Sequence, residues 1–234
     1  MSRQEKLAAL ASTGVTKAEL DNIDGGTARG TTAIADGDGV LINDAGTMRM
    51  TSVETMATYM GTKIGGGMEF IASSGELSSA ASASFTGFDA SKYDSYVFNL
   101  YFVKPANDNQ KLYAYASTNG GSSYDQTNGN YHYNNGSDYY AFNINDQQTA
   151  SNASGKYGVV GRVDILKPSA TAHTVAFAQT GVYKNSNDLI ATAGTDSYKY
   201  SEYLSTTAVN AVQFKFGSGN IASGEITMFG IVNS

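Results

Sequence analysis

Late in the chain, Val212, Phe214 and Phe216 alternate with Gln213 and Lys215, so one side of this segment is apolar and the other polar. A period of two is the mark of a β-strand with one buried face. Gly217-Ser218-Gly219-Asn220 follows with turn chemistry, since Gly and Asn tolerate positive φ angles. A second run then sets Ile226 and Met228 on one side and Phe229 and Ile231 on the other. Gly230 within it suggests a bulge or a close approach of another group. A closing hairpin of this kind is unstable alone and needs further strands over its apolar face. The preceding chain is therefore expected to supply a sheet.

The text from Met68 onward meets that demand. Tyr96, Phe98, Leu100 and Phe102 alternate with Val97, Asn99, Tyr101 and Val103 until Pro105 stops the ladder. Leu112, Ala114 and Ala116 read as the inner side of the next strand, with Tyr113 and Tyr115 outward, and Asn119-Gly120-Gly121-Ser122 as a turn. Tyr139 to Ile144, Val159 to Leu166, Thr174 to Val182 and Tyr198 to Leu204 are further strand-like runs bounded by Gly, Asn, Ser or Pro. Many short strands without a helix-period segment indicate a mainly β fold, an antiparallel sandwich of jelly-roll type.

The first part of the chain is different. Arg3 to Ala11 reads as a short helix, and Thr16-Lys17-Ala18-Glu19 as a capping box before another helical turn. Leu7, Leu10, Leu20 and Ile23 form an apolar stripe that has no core of its own and are candidate oligomerisation or attachment residues. Val40-Leu41-Ile42 is a small β run, with Met48 and Met50 as its hairpin partner. Thr51-Ser52-Val53-Glu54 reads as a second capping box, opening a helix with Val53, Met56, Ala57 and Met60 on one face and Gly61 after its end. Gly65-Gly66-Gly67 is the clearest linker. The expected division is thus a mixed helix/strand segment, residues 1–67, that is ordered by docking, and a β-sandwich domain, residues 68–234.

Composition narrows the partners. A net charge of −6 and a pI near 4.8 argue against nucleic acid or an anionic membrane surface. The absence of cysteine excludes disulfides, thiolate metal sites and cysteine nucleophiles. LAALA after MSRQEK is too short for a signal h-region, and nothing approaches a membrane-spanning run, so folding in a cytosol is expected.

Two groups of segments carry a family resemblance. GVTKAELDNIDG (14–25) resembles an element that recurs in phage tail-fibre proteins, and TTAIADGDGVLINDAGTMRMTSVETMATYMG (31–61) the strand-hairpin-helix unit that follows it in fibres of marine phages. FDASKYDSYVFNLYFVKPANDNQKLYAYASTNGGSSY (88–124) and STTAVNAVQFKFGSGNIASGEITMFGI (205–231) resemble two blocks of the same group. The resemblance implies a virion structural protein: a homotrimeric fibre or spike, assembled in the host cytoplasm and exposed on the particle. Its N-terminal segment would hold other virion proteins, and its tip would meet a host-surface glycan or protein. Capsid decoration without a receptor is the alternative, and a carbohydrate-binding module a more distant one.

Residues 128–156 depart from that resemblance into tyrosine and asparagine. Tyr124, Tyr131, His132, Tyr133, Asp138, Tyr139 and Tyr140, among several asparagines, are the candidate receptor contacts, because tyrosine offers a rigid face with a polar tip. Packing on a sheet face is the competing role for these rings. Asp36, Asp38, Asn43 and Asp44 read as turn residues, since Val40, Leu41 and Ile42 occupy positions where a calcium loop needs oxygen ligands. His132 and His173 lie far apart in sequence without ligand spacing. No nucleophile elbow and no phosphate-cradling loop is present. No catalytic residue, metal ligand or cofactor is therefore expected.

Overall fold

The computed structural model describes residues 2, 4–5, 31–63, 67–133, 137–145, 149–184, 189–191 and 199–233. The stripe Leu7, Leu10, Leu20 and Ile23 and the first capping box lie outside the described residues. The chain divides into two compact units, residues 1–63 and 64–234.

In the first unit, β1 (Gly39–Asp44) pairs antiparallel with β2 (Thr47–Ser52), with Leu41 opposite Met50. The two residues between them, Ala45 at φ 49° and Gly46 at φ 91°, are both left-handed, the geometry of the tightest hairpin turns. Helix α1 (Val53–Lys63) follows at once. Its cap is Ser52, whose Oγ accepts the Thr55 amide at 3.1 Å, so the capping residue sits one position later than the Thr51–Glu54 reading. The helix also runs through Gly61 rather than ending before it. A single interior glycine weakens a helix by only about 1 kcal/mol and does not by itself stop it.

The second unit is an antiparallel sandwich. The larger sheet contains β3 (Met68–Ser73), β4 (Leu77–Ala80), β6 (Tyr93–Pro105), β8 (Tyr131–Tyr133), β9 (Ser137–Tyr139), β11 (Val159–Leu166), β12 (Thr174–Tyr183), β13 (Leu189–Ala191), β14 (Lys199–Tyr203) and β16 (Ile221–Val232). The smaller contains β5 (Ala83–Phe85), β7 (Leu112–Ser117), β10 (Phe142–Asn143) and β15 (Ala211–Phe216), in the order β10-β7-β15-β5. The larger runs β3-β16-β6-β11-β12-β14-β8-β9, with β4 beside β16 and β13 beside β12. Every strand of the small sheet is preceded and followed in sequence by strands of the large one. The chain thus crosses between the layers again and again.

Between the layers lies one core. Phe85 and Phe214 of the small sheet meet Phe98 of the large one, with ring centroids 5.3 Å (Phe85–Phe98) and 5.1 Å (Phe98–Phe214) apart. Leu112, Ala114, Ala116, Val163, Ile165, Ile226 and Met228 fill the space around them. The alternation of Val212, Phe214 and Phe216 is realised as expected, all three side chains being fully buried.

Three expectations are corrected. Residues 211–232 are not a hairpin: β15 pairs with β5 and β7, and β16 with β3, β4 and β6. The turn at 217–220 carries the chain across the core, so Phe216 and Ile221, both fully buried, come from opposite layers. Two strands that each need a cover supply it better from facing sheets than from side by side. Second, the expected strand from Tyr139 to Ile144 is broken at Tyr140 and Ala141, because β9 belongs to the large sheet and β10 to the small.

Third, the alternation along β6 fails at Phe102. Tyr96, Phe98 and Leu100 point inward, but Phe102 is 51% exposed and Val103 takes the interior place. Phe102 lies in a bulge against both neighbours. Glu225 and Ser223 of β16 pair with Tyr101 and Lys104, so Phe102 and Val103 face Gly224. Gly161 and Val159 of β11 pair with Leu100 and Val103, so Tyr101 and Phe102 face Val160. Phe102 has φ 53°, a left-handed conformation that destabilises a residue of this bulk by about 1–3 kcal/mol. Glycines make room for it on both sides. A Cβ on Gly224 would lie 2.6 Å from the Phe102 carbonyl oxygen, and one on Gly158 would lie 2.1 Å from that of Val103. Gly230 does mark a close approach: the Tyr93 ring occupies the place of its missing side chain.

Candidate ligand-contact site

The tyrosine-rich excursion begins where β7 ends. Ser117 Oγ accepts the amides of Asn119 (3.3 Å) and Gly121 (3.0 Å), and Gly120 at φ 71° and Gly121 at φ 85° complete the turn. Asn210 Oδ1 accepts the Gly120 amide at 2.7 Å and ties the loop to the residues before β15. The Tyr124 hydroxyl lies over Gly121, where a Cβ would sit 2.9 Å from it.

Asp125 organises the chain between this turn and β8. Its Oδ1 accepts the Thr127 amide at 2.8 Å, an Asx turn. Its Oδ2 accepts Asn130 Nδ2 at 2.6 Å and the Tyr203 hydroxyl at 2.9 Å. Burial pushes this carboxyl up, but the hydrogen bonds from Thr127, Asn130 and Tyr203 outweigh it and hold the group below its ordinary value. The Tyr203 hydroxyl is pushed up to about 12, first by its own burial and then by the Asp125 carboxylate that it binds. Beside this network opens a polar cleft of about 400 Å³, with Thr118, Ser123, Tyr124, Asp125, Thr127 and Tyr203 in its walls.

The expected contact residues separate into two sets. Tyr131 is fully buried and Tyr133 nearly so. The Tyr131 hydroxyl accepts the Ala116 amide (2.9 Å) and donates to the Asp125 carbonyl (2.9 Å), and so joins β8 to β7 across the layers. Its ring packs on Phe142 and Tyr203. These two rings are structural, and the expectation that they meet a ligand is corrected on that ground. Tyr124, His132, Asp138, Tyr139 and Tyr140 keep access to solvent.

Tyr139 and Tyr140 stack at 4.6 Å and cover Tyr113, whose hydroxyl accepts that of Tyr140 at 2.8 Å. This second small cluster, with Tyr115 and Ala141, coats the outer side of β7. Tyr113 and Tyr115 therefore leave the main core as expected, yet are buried. Burial, and then the neighbouring hydroxyls, push the Tyr113 phenol far up.

His132 and His173, remote in sequence, converge on Glu202. His173 Nδ1 lies 2.7 Å from Glu202 Oε1, and His132 lies 3.8 Å from Glu202 and 3.5 Å from Asp138. The strand register explains the meeting, since His132 is opposite both Glu202 of β14 and Asp138 of β9. Among the described residues no group of three or more such side chains is arranged to hold a metal ion.

Sequence reasoning passed over Asp125 and Tyr203. The spacing Asp125-x-Thr127 is an Asx-turn signal that was open to reading, whereas Tyr203 reaches the site only through the pairing of β14 with β8. The arrangement can exchange hydrogen bonds with a hydroxyl- or amide-bearing ligand. The side chains walling the cleft include one carboxylate, already holding three donors, and no histidine or lysine. Compared with protein-family models, with curated proteins and with solved structures, the chain finds no match.

Proposed function

We propose that this chain is a phage virion structural protein without enzymatic activity: a fibre or spike that attaches by its N-terminal segment and presents the β-sandwich to a host surface. The observation that carries this reading is the contrast in core formation between the two units. No described residue of the first unit is fully buried. Ile34, Leu41, Met48, Met50, Tyr59 and Met60 are at least half exposed there, and a cleft of about 570 Å³ opens between the hairpin and α1, walled by Ile42, Met56 and Tyr59. A hairpin and one short helix with their apolar side chains in water are not stable by themselves. They call for a cover, which other virion proteins and further copies of the chain would provide, a homotrimer being the assembly that the resemblance implies. The second unit closes its own core and needs no such cover. None of the described helices is long and apolar enough to cross a membrane.

On this reading the polar cleft at Asp125 and the rim of Tyr124, Tyr139 and Tyr140 meet a host glycan or protein, with several weak contacts acting together. Electron cryo-microscopy of particles labelled through an epitope on this chain tests the proposal. Label on a tail fibre or spike is expected. Label spread over the capsid shell would favour decoration, and particles without label would overturn the reading. Sedimentation of the full chain as a monomer at micromolar concentration would remove the assembly part.

A further inference from the structure

The bulge in β6 exposes rings that the proposed adhesion rim does not use. Phe102 is turned out of the core, and beside it stand Tyr101, 45% exposed, and Tyr157, 52% exposed. The Phe102 and Tyr157 rings lie 5.3 Å apart and are inclined by 57°, so they make a corner rather than a flat wall. Tyr183 packs edge-on against Tyr157 at 5.5 Å and braces it. A cleft of about 320 Å³ opens at this corner, with Glu76, Lys104 and Glu225 among its walls. Two of these polar groups are held in place: Glu225 Oε1 accepts the Ser73 hydroxyl at 2.5 Å, and Lys104 Nζ donates to the Ala153 carbonyl at 3.1 Å.

We propose that this cleft is a saccharide site that takes one neutral pyranose ring. A pyranose has one face of C–H groups, which packs on an aromatic ring, and an edge of hydroxyls, which need donors and acceptors around it. The corner supplies both, with rings for the C–H face, carboxylate oxygens to accept from hydroxyls and an ammonium to donate. The charges choose among sugars. Two carboxylates against one ammonium leave the walls negative, which disfavours uronates, sialates and phosphorylated sugars. The backbone has the form of a built site. Phe102 sits at positive φ between Gly158 and Gly224, and the smaller Val103 fills the core in its stead. An aromatic ring is thereby placed in water at a conformational cost, and backbone strain of this kind gathers at ligand sites.

The proposal goes beyond the virion role and stands on other residues, so it can fail while that reading survives. The test is saturation-transfer NMR on the full chain with methyl α-glucoside, methyl β-galactoside, methyl α-mannoside and N-acetylglucosamine, each at millimolar concentration. Glucuronate, N-acetylneuraminate and trilysine serve as charged controls. The expected result is transfer to the C–H protons of at least one neutral sugar and to none of the controls. Binding should weaken by about tenfold or more in Tyr157→Ala and in Phe102→Ala, with Tyr157→Ala still unfolding cooperatively well above the temperature of the measurement. Tyr157 is half exposed, so that variant decides the matter if Phe102→Ala fails to fold. Absence of transfer to every neutral sugar, equal binding of an anionic sugar or of trilysine, or parental affinity in Tyr157→Ala would each overturn the proposal.

Discussion

Residues 131–133 and 101–102 are two short aromatic stretches of the same large sheet with opposite fates. Tyr131 and Tyr133 stand in the most polar, asparagine-rich part of the chain, and they are buried. Phe102 stands in a regular apolar alternation, and it faces water. Local composition fails in both places for one reason. Inside and outside in a sandwich depend on which strands lie alongside and on what crosses the core, and those partners are remote in sequence. Tyr131 is enclosed because its hydroxyl bridges to Ala116 and to the Asp125 backbone. Phe102 is expelled because β11 and β16 both accommodate a bulge.

The sharpest way to break the comparison lies within β6 itself. Phe98→Ala, at a fully buried ring in contact with Phe85 and Phe214, is expected to destabilise the protein by about 3–5 kcal/mol in chemical denaturation. Phe214→Ala, on the facing sheet, should fall in the same range. A loss below about 1 kcal/mol at either position would mean that the assigned face is wrong.

Tyr131→Phe comes next. It keeps the ring and removes only the hydroxyl, leaving the Ala116 amide without its acceptor, and should cost about 1–3 kcal/mol. A neutral outcome would show that the bridge between β7 and β8 contributes nothing, and that the ring alone accounts for the burial.

Asp125→Asn is expected to act through pH. The Asp125 carboxyl is held below its ordinary 3.8 in the folded protein, so its stabilising contribution is complete above 3.8 and disappears as pH falls through the folded value. Parent and variant should therefore differ most near neutrality and converge in acid. Thermal melts at several pH values measure this, and a difference that stays constant with pH would remove the carboxylate's role. Glu69 and Asp89 are also held low, so the parent loses stability in acid for other reasons, and only the difference between the two proteins is informative.

The smallest effect belongs to the bulge. Phe102→Gly relieves a left-handed phenylalanine but removes a half-buried ring, and with the two effects opposed it is expected to change stability by no more than about 1 kcal/mol in either direction. A loss of several kcal/mol would make the ring structural and erase the contrast with Tyr131.

Legibility in the sequence divides along the same line. Strands β7, β11, β12 and β15 are legible almost to their ends, because an alternating pattern and its bounding Gly, Asn or Pro are local properties. The crossing at Gly217 to Asn220 reads as a hairpin turn, because turn chemistry looks alike whether the chain reverses within a sheet or passes between two. The bulge is hidden because its causes, Gly158 and Gly224, lie outside β6. Of the contact candidates, the accessible tyrosines can be told from the buried ones only by the neighbours that cover Tyr131 and Tyr133.

The repeated passage of the chain between layers has a kinetic consequence. The strands of each sheet are held apart in sequence, because each strand of the small one is spliced between strands of the large one. The longest ladder joins Ile226 to Leu100 and Met228 to Phe98, so it closes a loop that contains most of the sandwich. Loop closure of that size is an entropic loss met before the contacts that reward it, and folds dominated by such pairings form in milliseconds to seconds rather than microseconds. Until that closure the edge of β6 that β16 covers is open to the same edge on neighbouring chains. At high concentration the yield of folded protein would then depend on how quickly β16 finds its place rather than on how stable the finished sandwich is.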